Sequence, residues 1–150
     1  MPTHSETREL PYTAQQMYDL VADVDAYPEF LPWTSAARIK REEDMGDHTV
    51  MDADLVISFK VFRERFTSRV KLWPKQRSID TQYLDGPFKH MKSNWKFDET
   101  PEGCTVHFFV DFEFRNAILQ KIIGVVFNEA MQRVVRAFEK RAEALYGTSA

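Results

Sequence analysis

Polar side chains on the apolar face of predicted strands are the residues best placed to do chemistry in this chain. Glu64 and Ser68 share the alternating phase of Phe66 and Val70. A carboxylate in a dry interior needs a partner, a hydrogen bond or a proton, so Glu64 is a candidate acid, base or ligand contact. The alternative is that Glu64 lies at a strand end or bulge, where it reaches water or a nearby arginine.

Further donors fall on the same apolar faces. Ser93 is in phase with Trp95, and Tyr83 follows Ile79. Ser68, Tyr83 and Trp95 carry O–H or N–H groups that can donate to the acceptor oxygens of a ligand. The alternatives are core aromatics whose polar tips are satisfied inside the protein, and serines that bond to their own backbone.

The sequence lacks the familiar signatures of metal and nucleophile sites. The four histidines lie on different predicted elements, and none stands at ligand spacing with another histidine or with Cys104. No phosphate-binding glycine loop, G-x-S-x-G elbow or H-E-x-x-H is present. We therefore predict no metal site, no cofactor and no catalytic residue, which favours a binding protein over an enzyme.

Composition narrows the class of protein and its partners. The 150 residues are 43% hydrophobic, which predicts one domain over residues 1–150. Net charge is −3, with 20 Lys and Arg scattered among 23 Asp and Glu, so DNA is not an expected partner. The N-terminus shows no signal sequence, and the apolar run at 122–127 is too short to span a bilayer. Cys104 is the single cysteine of the sequence, which excludes an internal disulfide. These features predict a cytoplasmic protein.

A long amphipathic helix is predicted between Asn116 and Gly147. Asn116 can cap its first turn and Gly147 can end it, with apolar residues at helical spacing between them. Such a helix is roughly 43 Å long, longer than a small core needs. A wide antiparallel sheet is expected to cover its apolar face.

The rest of the chain supplies that sheet. A strand at Glu6–Leu10 is followed by a helix that Thr13 and Gln16 begin, and then by a stiff aromatic elbow at Tyr27–Trp33. From Ala36 to Phe114 the apolar period becomes that of strands, interrupted near residues 45–47, 74–75, 85–87 and 101–103. We predict an α+β fold with about six antiparallel strands before the last helix, leaving a cavity where packing is incomplete.

Several motifs resemble one family along nearly the whole chain. The sequence is similar to the coenzyme Q-binding proteins of the START-like lipid-binding superfamily in the following segments: Asp23–Trp33, Phe66–Val70, Asp85–Lys89, Trp95–Phe97, Asp111–Asn116 and Ala137–Ala142.

The resemblance implies a helix-grip fold, in which a sheet of six to seven strands wraps around the C-terminal helix and encloses a hydrophobic tunnel. It further implies that the tunnel takes ubiquinone or a similar isoprenoid lipid, and that the protein is a carrier or chaperone supporting respiration and ubiquinone biosynthesis at the inner membrane. We expect these residues to contact the lipid: Phe30, Trp33, Leu55, Ile57, Phe62, Glu64, Phe66, Ser68, Tyr83, Trp95, Phe108, Phe112, Val126, Phe127, Ala130 and Val134.

Two relatives of that family offer alternatives. One branch is labelled polyketide cyclase or dehydrase, which would make Glu64 an acid or base. A bacterial branch is described as a toxin that blocks association of the ribosomal subunits, for which the small basic patch of Arg63, Arg65, Arg69 and Lys71 is the candidate surface.

A carrier also needs a place to collect its lipid. Apolar residues at 122–127, including Ile122, Ile123, Val125, Val126 and Phe127, exceed a narrow core stripe. With the elbow residues Phe30 and Trp33 they predict an apolar lip for transient membrane contact. The alternative is that the elbow covers this cluster.

Gly124 interrupts the best helical run, where glycine costs about 1 kcal/mol relative to alanine. We expect a compensating reason. Either another element packs closely against Gly124, or the position lets the first turns of the helix move when ligand enters.

Overall fold

The computed structural model describes residues 3–59 and 62–147, without the side chains of Phe59, Phe62 and Val126. The predicted succession of strand, helix, elbow, six strands and long helix is confirmed. The elements are β1 (Thr3–Leu10), α1 (Ala14–Ala22), a 3₁₀ helix (Val24–Glu29), β2 (Thr34–Asp44), β3 (Thr49–Phe59), β4 (Phe62–Trp73), β5 (Ser78–Asp85), β6 (Phe88–Thr100), β7 (Gly103–Phe114) and α2 (Ala117–Tyr146).

The strands form a curved antiparallel sheet in the order β1-β7-β6-β5-β4-β3-β2. Consecutive hairpins join β2 to β7, and β1 pairs with the far edge of β7. Register shifts with an extra residue in β2, β5 and β6 are the irregularities that bend such sheets. Gly103 brings the β6–β7 turn against the end of β1, because an added Cβ there would lie 2.0 Å from the Leu10 carbonyl oxygen.

The predicted capping box starts α1. The Gln16 amide donates to Thr13 Oγ1 at 3.0 Å, and the Thr13 amide donates to Gln16 Oε1 at 2.9 Å. Met17, Leu20 and Val21 on one side of this helix are buried. This apolar side closes one end of the core.

The long helix α2 begins and ends where the sequence predicts. Asn116 Oδ1 accepts from the amides of Ile118 (2.9 Å) and Leu119 (3.0 Å), and Gly147 follows the last turn with φ 80°. The side of α2 that faces the sheet is buried at Leu119, Phe127, Ala130, Val135, Phe138 and Ala142. The sheet therefore grips this helix, and the fold is the START-like helix-grip fold.

A polar network ties β1 to α2 beside the core. His4 is buried, with Nε2 2.8 Å from Glu6 Oε1 and Nδ1 3.3 Å from Asn128 Oδ1. Arg8 contacts Glu6 and donates to Glu139 Oε2 at 2.9 Å. These bonds hold the helix against the first strand.

The expected close packing at Gly124 is wrong. The residue is exposed, and an added Cβ would meet no atom within 4 Å in the described part of the chain. No neighbouring element therefore requires glycine here.

Candidate ligand-binding cavity

An apolar cavity of about 500 Å³ lies between the concave face of the sheet and α2. This volume falls within the range of small-molecule sites, about 300–1,000 Å³. Inward-facing residues of β3 to β7 form one wall, and the buried side of α2 forms the other. The cavity occupies the position that the sequence predicts for incomplete packing between sheet and helix.

Most of the predicted contact residues are brought together on this cavity. Strand alternation and helical spacing identified their faces, which is why they converge. The predicted residues on the wall are Trp33, Leu55, Ile57, Glu64, Phe66, Ser68, Trp95, Phe108, Phe112, Ala130 and Val134.

Three predicted residues lie elsewhere. The Tyr83 hydroxyl accepts from the Phe88 amide at 3.2 Å, so this polar tip is satisfied inside the protein. Phe127 is buried behind the wall, 5.0 Å from the Phe112 ring, and Phe30 lines a smaller adjoining groove. The predicted side chains of Phe62 and Val126 lie outside the described residues.

Three hydroxyl side chains on the neighbouring strands β4, β5 and β6 interrupt the apolar wall. Ser68 on β4, Thr81 on β5 and Ser93 on β6 all line the cavity. Thr81 pairs directly with Ser93, and Ser68 pairs with Tyr83, two residues along β5 from Thr81. Ser93 was named from its strand phase as a possible donor, whereas Thr81 was not among the predicted contacts although it shares the phase of Ile79. Together the three hydroxyls form a polar row able to donate to ligand oxygens.

Aromatic rings build the wall beside this row. The Trp95 ring lies 4.2 Å from the Phe108 centroid and 5.1 Å from the Phe138 centroid, and its side chain is 6% exposed. Phe88 packs against Phe66 at 5.2 Å. These edge and tilted contacts fix large flat surfaces around an apolar space.

The mouth of the cavity is marked by its exposed residues. Glu64 near the start of β4 and Glu129 and Arg133 on α2 line the cavity yet are exposed. Glu129 Oε1 lies 3.3 Å from Arg133 Nη2. Glu64 therefore does not face a dry interior, because its strand-end position lets it reach water as the alternative anticipated.

The elbow contributes the third side of the mouth. Leu31, Pro32 and Trp33 line the cavity, and Trp33 has a left-handed backbone with φ 61°. Tyr27 also lines it, and its hydroxyl donates to the Val21 carbonyl. Burial, with the Asp23 charge second, raises the pKa of Tyr27, so its phenol stays protonated.

The lone thiol is not a nucleophile. Cys104 is buried, and burial together with the Glu99 charge raises its pKa to about 11. Thiolate is the reactive form, so little of it exists at neutral pH. Cys104 is thus a small buried core residue.

The part of the chain that the structure describes offers neither a metal-binding cluster nor a helix able to cross a membrane. Within residues 3–59 and 62–147, no three His, Cys, Asp or Glu side chains are grouped to hold a metal ion. None of the helices in these ranges has the length and apolar character needed to cross a bilayer.

The predicted apolar lip differs from the surface that is present. Phe127 is only 4% exposed, and Ile123 lines the cavity, so neither belongs to a protruding lip. Val125 is 83% exposed, and Ile118, which was not predicted, is 69% exposed. Helical spacing puts Phe127 on the buried side of α2, so the prediction that Phe127 belongs to an exposed lip was wrong.

A curved antiparallel sheet closed on a long helix, with an apolar cavity between them, defines a START-like protein of the lipid-binding class. The chain belongs to the family described as polyketide cyclase / dehydrase and lipid transport, whose model matches residues 10–139. The family resemblance seen in the sequence is thereby confirmed.

Three known proteins illustrate what the chain is similar to. The chain is 38% identical to a ribosome association toxin RatA of Rickettsia prowazekii over 146 residues, covering 95% of this chain and 97% of that one. It is 32% identical to the mitochondrial coenzyme Q-binding protein COQ10 homolog B of Xenopus laevis, covering 96% of this chain and 59% of that one. A START superfamily structure from Mycobacterium smegmatis superposes with a TM-score of 0.77 at 20% identity, covering 95% and 98% of the two chains.

Proposed function

We propose that this protein binds an isoprenoid lipid, most specifically ubiquinone, in the cavity between the sheet and α2. The observation that carries the proposal is an apolar cavity of about 500 Å³ with a row of hydroxyl groups on its wall. Each buried methylene of an isoprenoid tail contributes about 0.8 kcal/mol. Binding the tail against an apolar wall gains this free energy and requires no catalytic group.

The polar row suits the head of a quinone. A quinone ring presents two carbonyl oxygens that accept hydrogen bonds, and Ser68, Thr81 and Ser93 are donors. The ring itself can pack on Trp95, whose indole forms part of the aromatic wall. In this proposal the Tyr83 hydroxyl orders the Phe88 turn instead of contacting the ligand.

The proposed role is carriage. The name of the Xenopus relative, a coenzyme Q-binding protein, and the lipid transport description of the family support it. A carrier of this kind would work in the cytoplasm, meet the inner membrane transiently and support respiration and ubiquinone biosynthesis. No cofactor is required beyond the lipid itself.

Catalysis is not part of the proposal. Glu64, the side chain best suited to acid or base chemistry, is exposed to water at the mouth of the cavity. Glu64→Gln should leave lipid affinity unchanged. A polyketide-like substrate turned over by the native protein, with turnover lost in Glu64→Gln, would show an enzyme instead.

Extraction of co-purified lipid tests the proposal. The protein, purified from its natural host without detergent, is extracted with organic solvent, and the extract is examined by mass spectrometry. We expect an isoprenoid quinone near one molecule per chain. Repeated recovery of empty protein that takes up no added quinone would refute the proposal.

A second candidate function is association with the ribosome, as named for the Rickettsia relative. The observation that favours it is the convex face of β2, β3 and β4. Strand register places three carboxylates, Glu43, Asp52 and Asp54, on this face. The cations on the same face are Arg38, Arg41, Arg63, Arg65, Arg69 and Lys71.

This face is locally positive although the chain as a whole is negative. Asp52 is engaged by Arg69, with oxygen–nitrogen distances of 2.9 and 3.2 Å, and Asp54 accepts from Thr67. Arg38, Arg63 and Arg65 are exposed. Exposed arginines of this kind bind the phosphates of RNA.

Sedimentation separates the second candidate from the first. Ribosome binding by the basic face predicts that the protein sediments with a ribosomal subunit at low salt and is released as salt rises. Arg63→Ala combined with Arg65→Ala should abolish this, whereas Lys92→Ala combined with Lys96→Ala, on the outer face of β6, should not. Protein that stays at the top of the gradient at low salt would exclude the ribosome.

A further inference from the structure

The exposed side of α2 carries apolar residues that the core does not use. Ile118 is 69% exposed and Val125 83% exposed, with the half-buried Ile122 between them. Their spacing of four and three residues places them on one face of the helix. The opposite face already packs on the sheet, so these side chains are not explained by folding.

The same face changes character along the helix. Continuing at intervals of three or four residues, it carries Glu129, Arg133, Arg136 and Lys140, all exposed. Residues 115–128 contain two cations, at 115 and 121, and no carboxylate. In a chain of net charge −3, one helix face is thus apolar in its first turns and cationic in its later turns.

This face is continuous with the mouth of the cavity. Glu129, one turn after Val125, and Arg133 both line the cavity. Arg133, Arg136 and Lys140 also face Phe30 and neighbouring elbow residues across the smaller groove of about 290 Å³. A surface that covers this face of α2 therefore meets the cavity opening.

We propose that the exposed face of α2 docks on an anionic lipid bilayer. Ile118, Ile122 and Val125 enter the boundary between headgroups and acyl chains, as the apolar side of an interfacial helix does. Arg133, Arg136 and Lys140 bind the lipid phosphates, since cations near an anionic surface are attracted over about a Debye length. The link to lipid exchange rests on the proposed function, because docking brings the mouth against the membrane.

Vesicle flotation tests the docking face. The full chain is mixed with vesicles of phosphatidylcholine alone or with added phosphatidylglycerol, and floated in a density gradient. We expect flotation with the anionic vesicles and little with the neutral ones. Arg136→Ala with Lys140→Ala should weaken binding about thirtyfold, and Ile118→Ser with Val125→Ser by about tenfold or more. Met45→Ser, which alters an exposed apolar residue in the β2–β3 turn, is the matched control.

Absence of flotation with anionic vesicles, or equal flotation by both double variants and the control, would overturn the inference. So would self-association in analytical ultracentrifugation that Ile118→Ser with Val125→Ser abolishes, since a second copy would then cover the face. Quinone titration of the same variants separates the two proposals. Variants that lose vesicle binding but keep quinone affinity support the docking face. A native protein that binds vesicles but no quinone would leave the docking proposal standing and refute the proposed role as a quinone carrier.

Discussion

Ser68 is the most deeply buried polar side chain on the cavity wall, at 2% exposure. If its hydroxyl donates to a quinone oxygen, Ser68→Ala should weaken quinone affinity about threefold to tenfold, the value of a neutral hydrogen bond. Ser58→Ala, on the outer face of β3, should have no effect. Calorimetric titration with a short-tailed quinone measures both, and equal affinities in the two variants would remove Ser68 from the site.

Gly124 offers a second test at the level of one residue. Because an added Cβ meets open space, Gly124→Ala should raise the free energy of unfolding by a few tenths to about 1 kcal/mol. Gly103→Ala is the contrasting variant and should destabilise the protein, since its Cβ collides with the Leu10 carbonyl. Urea denaturation decides, and a less stable Gly124→Ala would contradict the account. Slower quinone uptake at unchanged affinity would identify Gly124 as a hinge.

Asp52 gives the protein a predictable dependence on pH. Its hydrogen bonds from Arg69 hold the pKa of this carboxyl below its ordinary value of about 3.9, although partial burial opposes the shift. A lowered pKa in the folded state stabilises the protein at pH values above the ordinary pKa of the carboxyl group. This stabilisation is lost as the pH falls through the folded-state pKa.

The consequence is measurable with Asp52→Asn. This variant should be less stable than the native protein at pH 7, and the difference should shrink below about pH 4. Arg69→Gln should lose the same stabilisation, so the double variant should be no worse than either single one. Thermal melts across pH test this, and a difference independent of pH would contradict it.

At the scale of elements, the first turn of α2 depends on its cap. Asn116→Ala removes the acceptor of two amide hydrogens and should cost about 0.5–2 kcal/mol of unfolding free energy. Asn116→Asp should retain most of the stability, because aspartate also caps well. Urea denaturation of the three proteins provides the measurement. A full loss in Asn116→Asp would show that the side chain acts through something other than capping.

The elements were predictable because their signals are local. Thr13 and Asn116 begin helices and Gly147 ends one, through bonds to neighbours a few residues away. Alternation of apolar and polar residues marks the buried face of each strand. How far along its strand a residue lies from the cavity mouth depends on the tertiary structure, so no local sequence signal reports it. That is why the sequence left Glu64 open between a dry interior and a strand end that reaches water, and the structure shows it exposed near the start of β4.

The cavity wall was predictable in part for the same reason. Periodicity identifies the face that Tyr83 and Thr81 share, but it does not say which of the two meets the cavity. The structure assigns the Tyr83 hydroxyl to the Phe88 amide and leaves Thr81 on the wall. Such choices depend on contacts between distant segments, which one sequence does not reveal.

At the scale of the whole molecule, three surfaces correspond to the three proposed partners. The concave face of the sheet and α2 enclose an apolar cavity, the convex face of β2 to β4 is basic, and the exposed face of α2 is apolar and then cationic. Because the cavity and the convex face lie on opposite sides of the same strands, the proposed lipid binding and the proposed RNA binding can be tested by separate mutations. The variants proposed above change one surface at a time.

A quinone titration monitored by tryptophan fluorescence tests most directly the claim that quinone binds in the cavity. Trp33 and Trp95 line the cavity, whereas Trp73 stacks on His48 elsewhere, so Trp73→Phe provides a background in which emission reports the cavity. We predict saturable quenching at one quinone per chain. Ala130→Phe, which projects a ring from α2 into the cavity, should weaken binding at least tenfold, and Ala144→Phe on the exposed side should not. Quenching that never saturates, or equal affinity in both variants, would contradict binding in this cavity.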